Sequence, residues 1–189
     1  MPQPAPWLLP ELPIDIRAWR LRLGHRAQPG SGARAIRHTA GQHPCCVEAI
    51  PERLSDGRSM CLACECFWSA SHSGTVVTVA RSRASIGVDI QLPVYRPHAF
   101  RMWGERCGVP DAGLSQWVLG EACLKAAGIA FRLPEPGVLR LPRRPATEGG
   151  LSVVGSVPVA WRWGDATNDL DGCYWALAWT IGEPAPAAL

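Results

Sequence analysis

The chain has 189 residues, 47% hydrophobic and 19% charged, with a net charge of +3, a balance that suits one folded domain of good size or two small lobes and excludes a disordered chain. The positive excess is too small to mark a nucleic-acid binder, and no stretch approaches the roughly 20 apolar residues of a membrane-spanning helix. The first residues, Met1-Pro2-Gln3-Pro4-Ala5-Pro6, lack the basic-then-apolar pattern of an export signal, so the expectation is a cytoplasmic location.

Residues 1–13 are Pro-rich and predict an irregular lead-in. Ile14 to Leu23 alternates apolar residues with Asp15, Arg17, Arg20 and Arg22, which predicts a strand. Residues 24–58 carry weak periodicity, with room for a helix within 33–54. Cys61 to Ser69 predicts an apolar strand. Gly74 to Ala80 is β-branched and predicts another, and Arg81 to Ser85 a turn. Ser85 to Gln91 then reads as the returning strand of a hairpin over 74–91.

Phe100, Trp103 and Cys107 at helical spacing predict a short helix from His98 to Gly108. The clearest helix is Leu114 to Ala127, with Ser115 as N-cap and Gly128 as its stop. Four strands are expected beyond it, at 138–141, 152–159, 160–163 and 174–181, with a polar loop over 165–172 and a loose tail from 183. Strands, then helices, then strands predict an α+β fold, read as two small lobes divided at 1–94 and 95–189.

Four groups stand out chemically. In Ile86 to Gln91, alternation sends Ile86, Val88 and Ile90 into a core and Gly87, Asp89 and Gln91 to the opposite side. A carboxylate in that setting needs a cation, a donor or water. Glu121 and Lys125 are four apart on a helix, in the order that favours an ion pair, and Glu121 shares its face with Trp117 and Leu124. Lys125 is the only lysine among 19 basic residues, so a compact ammonium rather than a guanidinium is wanted there. His72 lies between Ser71 and Ser73, ahead of a glycine-initiated strand, where donors suit phosphate. Asp89 and Glu121 form an oxygen-rich half-site of the kind Mg²⁺ completes with waters and phosphate oxygens. The chemistry such a set serves is phosphoryl transfer.

Eight cysteines are present. The expectation is buried thiols in a reducing compartment, with Cys61-x-x-Cys64 and Cys45-Cys46 as a zinc alternative that lacks a second well-spaced pair. Nine tryptophans could stack on bases, but their apolar strand and helix settings favour core packing.

Ser71-His72-Ser73, Gly87-Val88-Asp89-Ile90 and Trp117-x-x-x-Glu121-Ala122-x-x-Lys125, in this order, resemble the signature motifs of the 4′-phosphopantetheinyl transferase superfamily, the surfactin-synthetase-activating type most closely. The resemblance covers residues 57–128 well, the C-terminal strands loosely and the first 56 residues hardly at all. It implies two pseudo-twofold α+β lobes with the active site in the cleft between them. It implies Mg²⁺-dependent transfer of the phosphopantetheine arm of coenzyme A to a serine of an acyl or peptidyl carrier protein, releasing adenosine 3′,5′-bisphosphate. Carried over, Asp89 and Glu121 would hold Mg²⁺, with Gln91 where many members have Glu. Ser71, His72, Lys125 and Arg58 (in the lysine position of a Gly-Lys-Pro segment) would contact coenzyme A. Glu121 or a metal-bound water would take the serine proton, with Lys125 near the leaving group. Gly120 stands where the pattern has a lysine, which reads as the loss of a phosphate-facing cation. Arg20, Arg22, Arg26, Arg34 and Arg37 are candidates for a 3′-phosphate contact. A two-lobed chain would act as a monomer, without nucleic acid or membrane. The alternative is a non-catalytic member of the same fold that binds coenzyme A or a carrier protein.

Overall fold

The structure, a computed structural model, describes residues 3–4, 17–23, 26–46, 50–94, 96–129, 134–143, 149–166 and 173–182. The elements in order are β1 (Gln3–Pro4), β2 (Arg17–Arg22), α1 (Ser31–Ala40), a 3-10 turn (Pro44–Cys46), β3 (Glu52–Arg53), β4 (Ser59–Cys61), β5 (Cys66–Ser73), β6 (Val76–Ser82), β7 (Ile86–Gln91), α2 (Pro97–Arg106), α3 (Leu114–Ala126), β8 (Leu139–Arg140), β9 (Gly150–Val154), β10 (Val157–Ala166) and β11 (Cys173–Thr180). The fold is mixed α+β, with three helices among the described residues and two antiparallel sheets, as the order of patterns predicts. One sheet has six strands in the order β1-β2-β6-β5-β4-β3, and the other has five in the order β7-β11-β10-β9-β8. No helix of the described residues is long and apolar enough to cross a membrane.

Three apolar clusters define the layers. Ala35, Ile36 and Ala40 of α1 pack on Trp68, Val77 and Val79, one face of the six-stranded sheet. Its other face, with Phe67, Val76 and Ala80, meets Ile86, Val88 and Ile90 of β7 and Trp175 and Leu177 of β11. The far side of the five-stranded sheet, with Val159, Trp161, Ala176 and Ala178, is covered by α2 and α3 through Trp103, Leu119 and Leu124. Each large side chain buried this way contributes about 1.5–3 kcal/mol, so the two sheets and α3 are held by the same alternation that the sequence displays.

The 74–91 hairpin expected from sequence is not formed. β6 pairs with β5 and β2, while β7 pairs with β11. The tight hairpin is β5–β6, whose two-residue loop Gly74-Thr75 puts Gly74 at φ +59, a conformation glycine adopts without a Cβ penalty. The chain therefore changes sheets at residues 83–85.

β7 forms the edge of its sheet, and three serines of β5 cover that edge. Ser69 Oγ accepts from the Val88 N–H at 3.0 Å, and Ser73 Oγ accepts from the Leu92 N–H at 2.9 Å. Ser71 Oγ donates to Asp89 Oδ1 at 2.7 Å. Serine at alternate positions of a buried strand supplies partners for amides that no neighbouring strand reaches.

Other local expectations shift in smaller ways. Cys61 to Ser69 is not one strand, because residues 62–65 turn between β4 and β5. The expected strand at 152–159 is broken by Gly155 at φ +62, which turns β9 into β10. The helical possibility within 33–54 is realised as α1, which starts two residues earlier, at Ser31, and ends at Ala40. α3 starts from Gly113 rather than Ser115: the Gly113 N–H donates to Gln116 Oε1 at 3.0 Å, and the Ser115 hydroxyl donates to that same oxygen at 2.9 Å. Residues 5–13 of the lead-in, Ile14 to Ile16 of the first strand, most of the 165–172 loop and the tail from 183 lie outside the described residues.

Candidate functional site

The site begins where α3 lies against β7. Gly87 allows this contact: a Cβ there would stand 2.0 Å from the Ala122 carbonyl oxygen and 2.6 Å from the Ala126 nitrogen. Ser85 Oγ donates to the Ala126 carbonyl at 2.6 Å and fixes the end of α3 on the start of β7. One turn of register then brings Lys125 over Asp89. Lys125 Nζ donates to Asp89 Oδ1 at 2.6 Å and to the Val88 carbonyl at 3.0 Å. Both side chains are nearly out of solvent, 14% and 9% exposed. The ion pair of Lys125 is thus made across elements with Asp89, not along the helix with Glu121.

Glu121 is half-buried on α3 and makes no hydrogen bond or ion pair with a described residue. Burial pushes its carboxyl above the usual range, the charge of Asp89 adds to the rise, and Lys125 partly opposes it. It also neighbours Cys107, whose thiol is pushed up to about 12 by burial and then by the Glu121 charge. Two carboxylates that repel each other across a partly buried space, with one ammonium between their demands, form a site short of positive charge.

This shortage has a pH signature. Folding raises the Glu121 pKa, so the folded chain keeps that proton to higher pH than the unfolded chain. The cost of ionising it is absent below the unfolded value and complete above the folded one. Glu121→Gln is therefore expected to raise stability at neutral pH, with a chelator present, by on the order of 1 kcal/mol. The gain should fade as the pH drops toward about 4, where unfolded glutamate is itself protonated. Urea midpoints of the two proteins across this range are the measurement. A midpoint that fell at neutral pH would contradict the assignment.

Beside this pair opens a cleft of about 500 Å³ lined by α1, the β3–β4 segment and β5, together with Ile86 and Lys125. Its charged lining is one-sided: Arg37, Arg53, Arg58, His72 and Lys125. Gly30, Gly32 and Ala33, from the start of α1, complete it, and no acidic residue occupies that first helical turn. A helix N-terminus and five basic side chains favour an anion of more than one charge.

Arg58 is held in place. Its Nε and its second guanidinium nitrogen both reach Asp56 Oδ2 at 2.7 Å, and the guanidinium lies 4.9 Å over the Phe67 ring. Burial alone would raise the Asp56 carboxyl, but hydrogen bonds from the Arg58 side chain and backbone N–H hold it below its ordinary value. Gly57, at φ +88, makes the turn that returns Arg58 toward the cleft.

Of the residues singled out from sequence, Arg58, His72 and Lys125 share this cleft, and Asp89 sits directly behind Lys125. His72 belongs to strand β5 rather than to a turn. Ser71 does not line the cleft, and its hydroxyl is spent on Asp89. Gln91 is half-buried on β7, two residues beyond Asp89. Gly120 faces away: a Cβ there would meet Trp103 ring carbons at 1.9 and 2.1 Å. A lysine at this position would enter the α2–α3 core, so glycine here is a packing solution and not a cation missing from the cleft. Among the five candidate arginines for a phosphate contact, Arg37 is the one that lines the cleft. Arg53 was not foreseen. It stands five residues before Arg58 in a segment without periodicity, and only the β3–β4 pairing brings the two together.

Comparison with protein-family models and with curated proteins returns no match for this chain.

Proposed function

We propose that the protein is a 4′-phosphopantetheinyl transferase, moving the phosphopantetheine arm of coenzyme A onto a carrier-protein serine. The observation that carries this reading is Lys125, which lines a cleft whose charged lining is basic and is ion-paired with Asp89 behind it, with Glu121 one helical turn away. Coenzyme A offers a diphosphate and a 3′-phosphate, and the cleft offers Arg37, Arg53, Arg58, His72 and the start of α1 to receive them. The two sheets, each with helical cover, are consistent with two lobes of pseudo-twofold relation and a cleft within one chain, which would let a monomer act.

The donor set fits Mg²⁺. Asp89 and Glu121 supply hard oxygen ligands, and a cation between them would offset the burial and, after it, the Asp89 charge that raise Glu121. Asp89 Oδ1 is taken by Ser71 and Lys125, which leaves Oδ2. Gln91 could add its amide oxygen or hold a water. When bound, the ion would neutralise diphosphate charge as the phosphorus–oxygen bond breaks. The chain's own residues do the rest. Lys125 lies against the diphosphate, and His72 and the arginines fix the nucleotide end. The carboxylate of Glu121 takes the proton as the carrier serine oxygen bonds to the β-phosphorus. The bond from that phosphorus to the bridging oxygen breaks, and adenosine 3′,5′-bisphosphate leaves with the electron pair.

The direct test is incubation with coenzyme A, Mg²⁺ and several apo carrier proteins of fatty-acid, polyketide and peptide type, followed by mass spectrometry for the added arm. Transfer to any of them supports the reading. Absence of transfer to all would overturn it, and retained coenzyme A binding would then indicate a binding protein.

His72→Ala is expected to raise KM for coenzyme A about tenfold, the worth of one hydrogen bond to a charged group, and to change kcat little. Steady-state kinetics at saturating carrier protein separate the two. A fall in kcat at constant KM would move His72 from binding to chemistry.

A further inference from the structure

Three cysteines from two segments converge beyond the C-terminal end of α1. Cys46 closes the 3-10 turn after α1, Cys61 ends β4, and Cys64 lies in the loop between β4 and β5. Their Sγ atoms all lie within 4.8 Å of one another, and Cys46 and Cys64 are 3.5 Å apart. All three are thiols rather than half-cystines. None of them lines the basic cleft.

The local fold explains the convergence. Cys61 and Cys66 are paired across β4 and β5, so residues 62–65 form a tight loop. Glu65 takes φ +52, the left-handed conformation that closes the loop. The Cys66 thiol donates to the Cys64 carbonyl at 3.3 Å and holds the loop back against the strands. A Cys-x-x-Cys segment at a hairpin end then presents Cys61 and Cys64 to one point. Cys46 arrives there from the other side, because Ala40 and Cys46 pack with Trp68 and Val79.

The dimensions suit a tetrahedral ion. Four thiolates at about 2.3 Å from zinc lie about 3.8 Å from one another, so sulfurs already within 4.8 Å need only small side-chain rotations. Sulfur donors select zinc over the hard cations that suit carboxylates. We propose that Cys46, Cys61 and Cys64 form a zinc site with solvent as fourth ligand on the half-exposed Cys64 side. The ion staples α1, which forms one wall of the cleft, to the β4–β5 hairpin. This site is independent of the carboxylate pair and of the transfer reaction.

The test uses the full chain, purified reduced and without oxygen, and Co²⁺ as a coloured probe. Titration is expected to produce thiolate-to-cobalt charge-transfer absorption that ends at one ion per chain and is bleached by Zn²⁺. Zn²⁺ is also expected to raise Tm. Cys64→Ser, at a half-exposed position where folding should survive, is expected to weaken Zn²⁺ binding by more than about a hundredfold, beyond what even outer-shell changes cost. Cys61→Ser should do the same. Cys123→Ser, in the α3 core, should leave the cobalt spectrum intact. The proposal fails if the reduced parent gives no charge-transfer band, if Cys64→Ser keeps the parent's band, or if Zn²⁺ leaves Tm unchanged.

Discussion

Asp89→Ala is expected to destabilise the fold by about 3–5 kcal/mol and to abolish transfer, and the two losses have separate causes. The stability loss comes from Lys125. With Asp89 gone, its ammonium keeps only the Val88 carbonyl in a space that is 14% exposed, and an uncompensated buried charge costs that much. Asp89→Asn keeps an oxygen for Ser71 and Lys125, so its stability loss should be smaller, about 1–3 kcal/mol. Its transfer rate should still fall on the order of 10²–10³-fold, the scale on which a lost electrostatic contribution registers in kcat. The decisive variant is Asp89→Ala with Lys125→Met. Removing both charges should restore most of the stability, because a buried pair is often replaced by apolar groups at little net cost, while transfer stays absent. Urea unfolding and the carrier-protein assay read the two effects. A double variant that transferred at near-parent rates would remove Asp89 and Lys125 from the chemistry.

The alternation that buries Ile86, Val88 and Ile90 was legible in the sequence, and it placed Asp89 on the side where α3 arrives. The helix itself was legible from Trp117, Leu124 and the Gly128 stop. The partner of the strand was not. Val76 to Ser82 and Ile86 to Gln91 have equal claims to form a hairpin by pattern, and both are β-branched runs near a short turn. What decides is the docking of β7 on β11, more than 80 residues later in the chain, a pairing with no local signal. The serine ladder was visible as Ser69, Ser71 and Ser73, but its use was hidden, since edge amides belong to the tertiary arrangement. The basic cleft was half legible. Arg58, His72 and Lys125 stood in recognisable patterns, whereas Arg37 and Arg53 acquire meaning only when α1 packs on β5 and β3 pairs with β4. Cys46, Cys61 and Cys64 show the same limit. The Cys-x-x-Cys spacing and the Cys45-Cys46 pair upstream were both visible, while the meeting of Cys46 with Cys61 and Cys64 across 15 residues of chain is decided by the tertiary fold.

The second large effect concerns the glycines that set the spacing of α3. Gly120→Ala should gain about 1 kcal/mol in helix propensity, yet the net effect is expected to be a loss of about 3 kcal/mol or more. The new Cβ would stand 1.9 and 2.1 Å from two carbons of the Trp103 ring and 3.1 Å from Leu139, and a packed core resists such insertion. Gly120→Lys, which would write the transferase pattern back into the helix, should be worse still and should not raise activity. Because the obstacle is a side chain, Trp103→Phe in the same protein should recover more than about 1 kcal/mol of the Gly120→Ala loss. Gly87→Ala differs in kind. Its Cβ would meet the Ala122 carbonyl oxygen at 2.0 Å and the Ala126 nitrogen at 2.6 Å, both backbone atoms of α3. No neighbouring substitution can clear them, so the helix itself must move off β7. That movement separates Lys125 from Asp89 and Glu121 from both, so Gly87→Ala should lose transfer out of proportion to its folded fraction. Thermal unfolding with transfer rates at a temperature where each variant is fully folded distinguishes the two glycines. A Gly87→Ala protein that was folded and active would mean that the α3–β7 contact does not set the site.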